Sequence, residues 1–172
     1  TLPLTLTPGQ TGSFTARFAP ASAGAVAGSV SLVSNASNSP TAVSLAGSGV
    51  AQVLQLGVNP TSINFGDVAV GSTSTQSVMM TNAGNVNLTV SAANVTGAGF
   101  SITPPLVLPL TLTPGQTSSF TARFAPAATG TVAGSVSLVS NATNSPTNVT
   151  LAGNGVPPPV CQLGINPNGI DF

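Results

Sequence analysis

Leu108–Val156 reads LPLTLTPGQTSSFTARFAPAATGTVAGSVSLVSNATNSPTNVTLAGNGV, and Leu2–Val50 is the same text 106 positions earlier with eight substitutions. A second pair overlaps it: Leu56–Phe65 (LGVNPTSINF) returns as Leu163–Phe172 (LGINPNGIDF), 107 positions on. A period this long does not fit a solenoid unit; it fits one small domain per repeat. The chain is therefore expected to hold the C-terminal half of a repeat in residues 1–50, a joint at 51–53 and a complete repeat at 54–156. A proline-rich joint at 157–162 and the first strands of a third repeat at 163–172 follow. With this frame the sequence is expected to be a piece of a longer chain.

Within the quoted stretch, Ser118–Ala125 alternates strictly: Phe120, Ala122 and Phe124 share one side and Thr121 and Arg123 the other. That period of two is the mark of a half-buried strand. Working outward, extended runs are expected at Leu54–Val58, Ser62–Phe65, Ser74–Thr81, Val86–Ser91, Phe100–Thr103, Leu106–Leu112, Thr131–Ser140 and Thr147–Leu151. Asn59-Pro60 breaks the first pair, Gly66–Gly71 reads as a crossing segment, and Asn82–Asn85 reads as a hairpin turn whose Asn and Gly tolerate positive φ. No window carries the 3.6-residue apolar period of a helix. Short strands punctuated by Gly, Pro and Asn predict an all-β sandwich. Its expected core is Phe65, Val78, Leu88, Phe100, Phe120, Phe124, Val136, Leu138 and Leu151.

Composition narrows the function. Charged residues make up 2% of the chain: Arg17, Arg123, Asp67 and Asp171, with no Lys, Glu or His. An ordinary domain carries about 25%. Two arginines cannot build a basic patch, so nucleic acid is not an expected partner. A 41% hydrophobic content argues against disorder, and the proline-broken apolar runs are too short for membrane insertion in this segment.

Catalysis is tested by subtraction. A nucleophile–His pair lacks its base, and the complete repeat owns one carboxylate where glycoside hydrolysis normally uses two. Zinc and calcium sites lack their ligand sets. The expectation is a protein that is not an enzyme and uses no cofactor. Arg123, and its counterpart Arg17, stands between two phenylalanines, where its stem covers apolar surface and its head is expected to pair with Asp67. Arg17, Arg123, Asp67 and the single Cys161 are the candidate inter-domain or inter-chain contacts; Cys161 follows Pro157–Pro159 and has no counterpart at the other joint. Glycosylation sequons occur at Asn35, Asn87, Asn94, Asn141 and Asn148.

The marks Phe65-Gly66, Gly71, Thr81-Asn82, Gly84, Pro114-Gly115, Phe124-Ala125-Pro126, Ser140-Asn141 and Gly153–Gly155, taken together, resemble the immunoglobulin-like repeats of bacterial choice-of-anchor D surface proteins. Those are similar to the abnormal-spindle/hydin (ASH) domains. The resemblance spans nearly the whole chain and implies immunoglobulin-like β-sandwiches in tandem, an extracellular or cell-surface location, and no catalytic residues. The expected function is structural: the shaft of a stalk, adhesin or filament, self-associating with neighbouring repeats or copies. The alternatives are a module that binds glycan or protein at the cell surface, or an appendage of a secreted enzyme. Near-identity of the Asn35–Pro40 and Asn141–Pro146 loops weighs against the binding module, which needs divergent loops.

Overall fold

The computed structural model describes residues 2–161 and Leu163, and the expected first strands of the third repeat lie outside the described residues apart from that leucine. The structure divides into two compact units, Thr1–Ala51 and Gln52–Phe172. All regular elements among the described residues are strands.

The second unit is a two-layer sandwich. Its strands are β3 (Leu56–Asn59), β4 (Ser62–Ala69), β5 (Ser74–Asn82), β6 (Leu88–Thr96), β7 (Phe100–Ile102), β8 (Leu110–Leu112), β9 (Thr117–Phe124), β10 (Gly130–Ser140) and β11 (Thr147–Val156). One sheet runs β4-β11-β10-β6-β8 and the other β3-β5-β9-β7. Every pairing is antiparallel except β4 with β11, where Ser62 lies level with Thr150 and Ala69 with Val156. From β3 to β10 the chain changes sheet at each connection; only β10 and β11 are consecutive neighbours. The segment 82–85 is therefore not a hairpin turn: it carries the chain from one layer to the other. Nor does it use positive φ, which no non-glycine residue among those described adopts. Gly84 is required there for a different reason. A Cβ would fall 2.0 Å from the Val53 carbonyl oxygen.

Alternation delivers the core. All nine expected residues are buried, joined by Leu56, Ile63, Met80, Val90, Leu112 and Val149 among others. At its centre the rings of Phe65, Phe100 and Phe124 sit 4.7–5.8 Å apart. Phe124 also packs against β11, where a Cβ on Gly153 would come to 2.5 Å from the ring; the glycine opens the slot that the phenylalanine fills. Removing this much apolar surface from water is the main force holding the layers together.

Several boundaries move. The expected crossing segment 66–71 is mostly strand: β4 runs on to Ala69 through a register shift opposite Ala152–Asn154. β6 starts two residues later than expected and continues to Thr96, held by β10 although its second half lacks clear alternation. Val53, expected in the joint, is tied to the second unit: its N–H donates to Asn85 Oδ1 and its carbonyl accepts from Asn85 N–H.

The first unit contains β1 (Gly24–Leu32) and β2 (Thr41–Gly49), paired in the register of β10 and β11 moved by 106 residues. Residues 2–23 repeat the text of β8 and β9, yet form no strand. The physical reason is topological. β9 pairs with β5 and β7, and β8 with β6; those partners belong to the other half of the repeat, and a strand without a ladder has no place to satisfy its backbone.

Candidate interaction surface

Arg123 lies on β9 and points away from the core, as alternation requires. It stands beside Thr75 of β5 and Ser101 of β7 on the outer face of the four-stranded sheet. It is half-buried, whereas Arg17 is exposed. The expected pairing with Asp67 does not form. Asp67 belongs to β4, in the other sheet, and accepts a hydrogen bond from Asn154 Nδ2 at 2.8 Å. The register shift in β4 places it there: Asp67 falls level with Asn154 once the bulge has been passed.

The outer face of the five-stranded sheet is built from small polar side chains. Ser62, Thr150, Ser135 and Thr96 stand in one row across four strands, and Asn148, Ser137 and Asn94 in another. Thr96 Oγ1 and Ser135 Oγ lie 3.0 Å apart. The five sequon asparagines, Asn35, Asn87, Asn94, Asn141 and Asn148, are all exposed; Asn141 Oδ1 also accepts from Thr89 N–H. Cys161 is free and exposed. These residues are scattered over the two sheets and the loops, and the structure does not gather them into one site. Among the described residues, no three His, Cys, Asp or Glu side chains come together as a metal site, and no helix is long and apolar enough to cross a membrane.

The sequence reading passed over the asparagines that bind backbone. Asn82 is 1% exposed. Its Nδ2 donates to the carbonyls of Val86 and Leu112, at 2.8 and 2.9 Å, and its Oδ1 accepts from Gly84 N–H. One buried carboxamide thus ties three segments at this corner. Asn144 reads Leu56 as a strand would: Oδ1 accepts from Leu56 N–H at 3.1 Å and Nδ2 donates to its carbonyl at 2.8 Å. Thr143 N–H and Oγ1 both donate to Leu54 O. The loop between β10 and β11 is therefore a receptor for the incoming chain. The available signal was the duplication of Asn-Ser-Pro in both copies, at Asn38–Pro40 and Asn144–Pro146.

These contacts fix where the chain passes. It enters beside the 141–146 loop, passes through β3, which pairs with β5, and then β4, which runs alongside β11, and leaves at Val156, level with Ala69 at the other end. Two facing sheets with this crossover pattern define an immunoglobulin-like sandwich. Residues 55–154 match the HYDIN/CFA65/VesB-like Ig-like domain, and the chain belongs to that family. No curated protein sequence matches the chain. Among solved structures, a Porphyromonas gingivalis W83 protein of unknown function is similar at a TM-score of 0.51 and 13% identity, covering 78% of this chain and 67% of that one. The ASH/PapD-like domain 7 of human CEP192 has a TM-score of 0.49 and 14% identity over 62% of this chain and 89% of its own. The Vibrio cholerae VesB protease has a TM-score of 0.46 and 19% identity; the match spans 58% of this chain but 32% of the protease.

Proposed function

We propose that the chain is a non-catalytic structural module, one of the bacterial choice-of-anchor D type repeats strung in tandem to form an extracellular stalk, adhesin shaft or filament. The observation that carries this reading is the path of the backbone. The chain enters the sandwich at the 141–146 loop and leaves at the opposite end, so successive repeats extend an array instead of folding it back. β11 has ten residues, so each repeat advances about 30 Å along the strand direction.

Two further features support it. The repeat is nearly invariant where both copies can be compared, as a spacer allows and a specific pocket does not. Its outer faces carry Ser, Thr and Asn, which are buried against a neighbour at far less cost than charges, and a net charge of zero opposes no association. The exposed sequon asparagines suit an extracellular surface. Small-angle scattering on a protein of three complete repeats tests the reading. A rod lengthening by one strand-length per repeat is expected, and a compact or freely jointed ensemble overturns it.

A further inference from the structure

The complete repeat holds one positive and one negative side chain, Arg123 and Asp67. They do not meet inside the sandwich, because each stands on the outer face of a different sheet. They nevertheless stand at the same height along the strands. Phe124, next in sequence to Arg123, sets its ring 5.8 Å from that of Phe65, two residues before Asp67. The same ring packs against Gly153, the neighbour of Asn154, and Asn154 is level with Asp67. The two charges are thus placed back to back across the core.

Each keeps bonding capacity that the domain does not use. Asp67 is exposed and borders a hollow of about 440 Å³ on the five-stranded sheet. Asn64, Thr131 and Asn154 stand around it, and the paired Ala133 and Ala152 leave its floor low. Asp67 Oδ1 accepts from Asn154 Nδ2, and its other carboxylate oxygen has no partner among the described residues. On the opposite face, Arg123 stands beside Thr75 and Ser101, neither of which offers the carboxylate that a guanidinium grips best. The hollow is also a place where the two copies of the text diverge. Ala25 and Ser48, cross-strand partners in the first unit, become Thr131 and Asn154, cross-strand partners at the rim. Asn154 is the residue whose amide orients the carboxylate.

We propose that Arg123 of one copy enters the Asp67 hollow of a second copy, so that chains associate side by side, the four-stranded sheet of one laid on the five-stranded sheet of the next. A second copy fits because the two faces are complementary. Each presents one charge, of opposite sign, among small polar side chains that cost little to bury. The contact is heterologous: a copy uses its arginine face once and its aspartate face once, so addition does not stop at a pair. A single ion pair at a surface is weak, but repeats that each carry one multiply it along an array.

This inference rests on the reading of the chain as a self-associating structural module, yet the two fail separately: losing the lateral contact while a three-repeat protein still scatters as a rod removes only the pair. The test follows amide NMR shifts of the ¹⁵N-labelled full chain from dilute to millimolar concentration, under reducing conditions so that Cys161 forms no cross-link. Amides of Thr75, Ser101 and Arg123 on one face, and of Asp67, Thr131 and Asn154 on the other, are expected to shift together. Molar salt should abolish the shifts by screening the pair. Arg123→Gln and Asp67→Asn should each lose them on both faces; the asparagine still offers an oxygen to Asn154, so the local fold is preserved. When labelled Asp67→Asn is mixed with unlabelled Arg123→Gln, only the arginine face of the labelled chain should shift, because the mixture joins one live guanidinium to one live carboxylate. A wild type without concentration-dependent shifts at both faces overturns the proposal, as do shifts that survive molar salt or a mixture that stays silent. Shifts at Asp67 that persist in Arg123→Gln overturn it too, since they assign the hollow to another occupant, Arg17 included.

Discussion

Phe124 and Phe18 occupy the same place in the same text, and truncating each measures what the sandwich adds. Phe124 is fully buried, with two ring neighbours at 4.7 and 5.8 Å and Gly153 beneath it. Its transfer from water contributes about 1.5–3 kcal/mol, the ring contacts add roughly 0.5–1.5 kcal/mol, and the cavity left by alanine adds to the loss. Phe124→Ala should therefore cost about 3–5 kcal/mol, the range found for buried aromatics. For a domain of this size, that lowers the melting midpoint by on the order of 15–25 °C. Phe18 is half exposed and closes no cavity, so Phe18→Ala should cost about 1 kcal/mol or less and leave the second unit's transition in place. The chain has no Trp or Tyr to report by fluorescence, so the assay is scanning calorimetry with far-ultraviolet circular dichroism. A Phe124→Ala midpoint within a few degrees of wild type refutes the reasoning, as does a Phe18→Ala shift of equal size in the same transition.

Three further outcomes follow from the packing. Asn82→Ala removes the partner of two carbonyls and one amide at a buried corner and should cost about 2–4 kcal/mol, measured as the urea midpoint by circular dichroism. Gly153→Ala drives a methyl into the Phe124 ring and should cost about 1–3 kcal/mol, whereas Gly47→Ala in the first unit should be nearly silent in the same melt because the exposed Phe18 ring can swing aside. Arg123→Gln should cost no more than about 0.5 kcal/mol of stability by calorimetry, since the arginine stands among Thr and Ser instead of facing Asp67; a larger loss would show that it carries a structural contact.

The residues that were legible are those whose role is set by neighbours along the strand. Phe120, Ala122 and Phe124 could only face inward together, because a strand turns alternate side chains to one side, and they do. Layer assignment is a different matter. Nothing local in Asn82–Asn85 distinguishes a hairpin from a passage between sheets; that depends on β9 arriving from 35 residues later to pair with β5. Asp67 was misplaced for the same reason, since its side of the sandwich follows from a bulge opposite β11. The asparagine clamps escaped because Asn in turns has an adequate local explanation, and their real partners lie far away in sequence: Leu56 is 88 residues from Asn144. On the interaction surface, position along a strand could be read, but not pairing.

The parallel pairing of β4 with β11 has a mechanical consequence. Tension on the polypeptide enters ahead of β3 and leaves after Val156, so it pulls two neighbouring parallel strands past one another along their length. Their evenly spaced hydrogen bonds then share the load in shear instead of opening one at a time as a hairpin's do when its two ends are drawn apart. The asparagine clamp at Leu56 adds two bonds at the point where the force arrives. A domain threaded in this way resists extension most strongly along the axis on which its own backbone would be stretched.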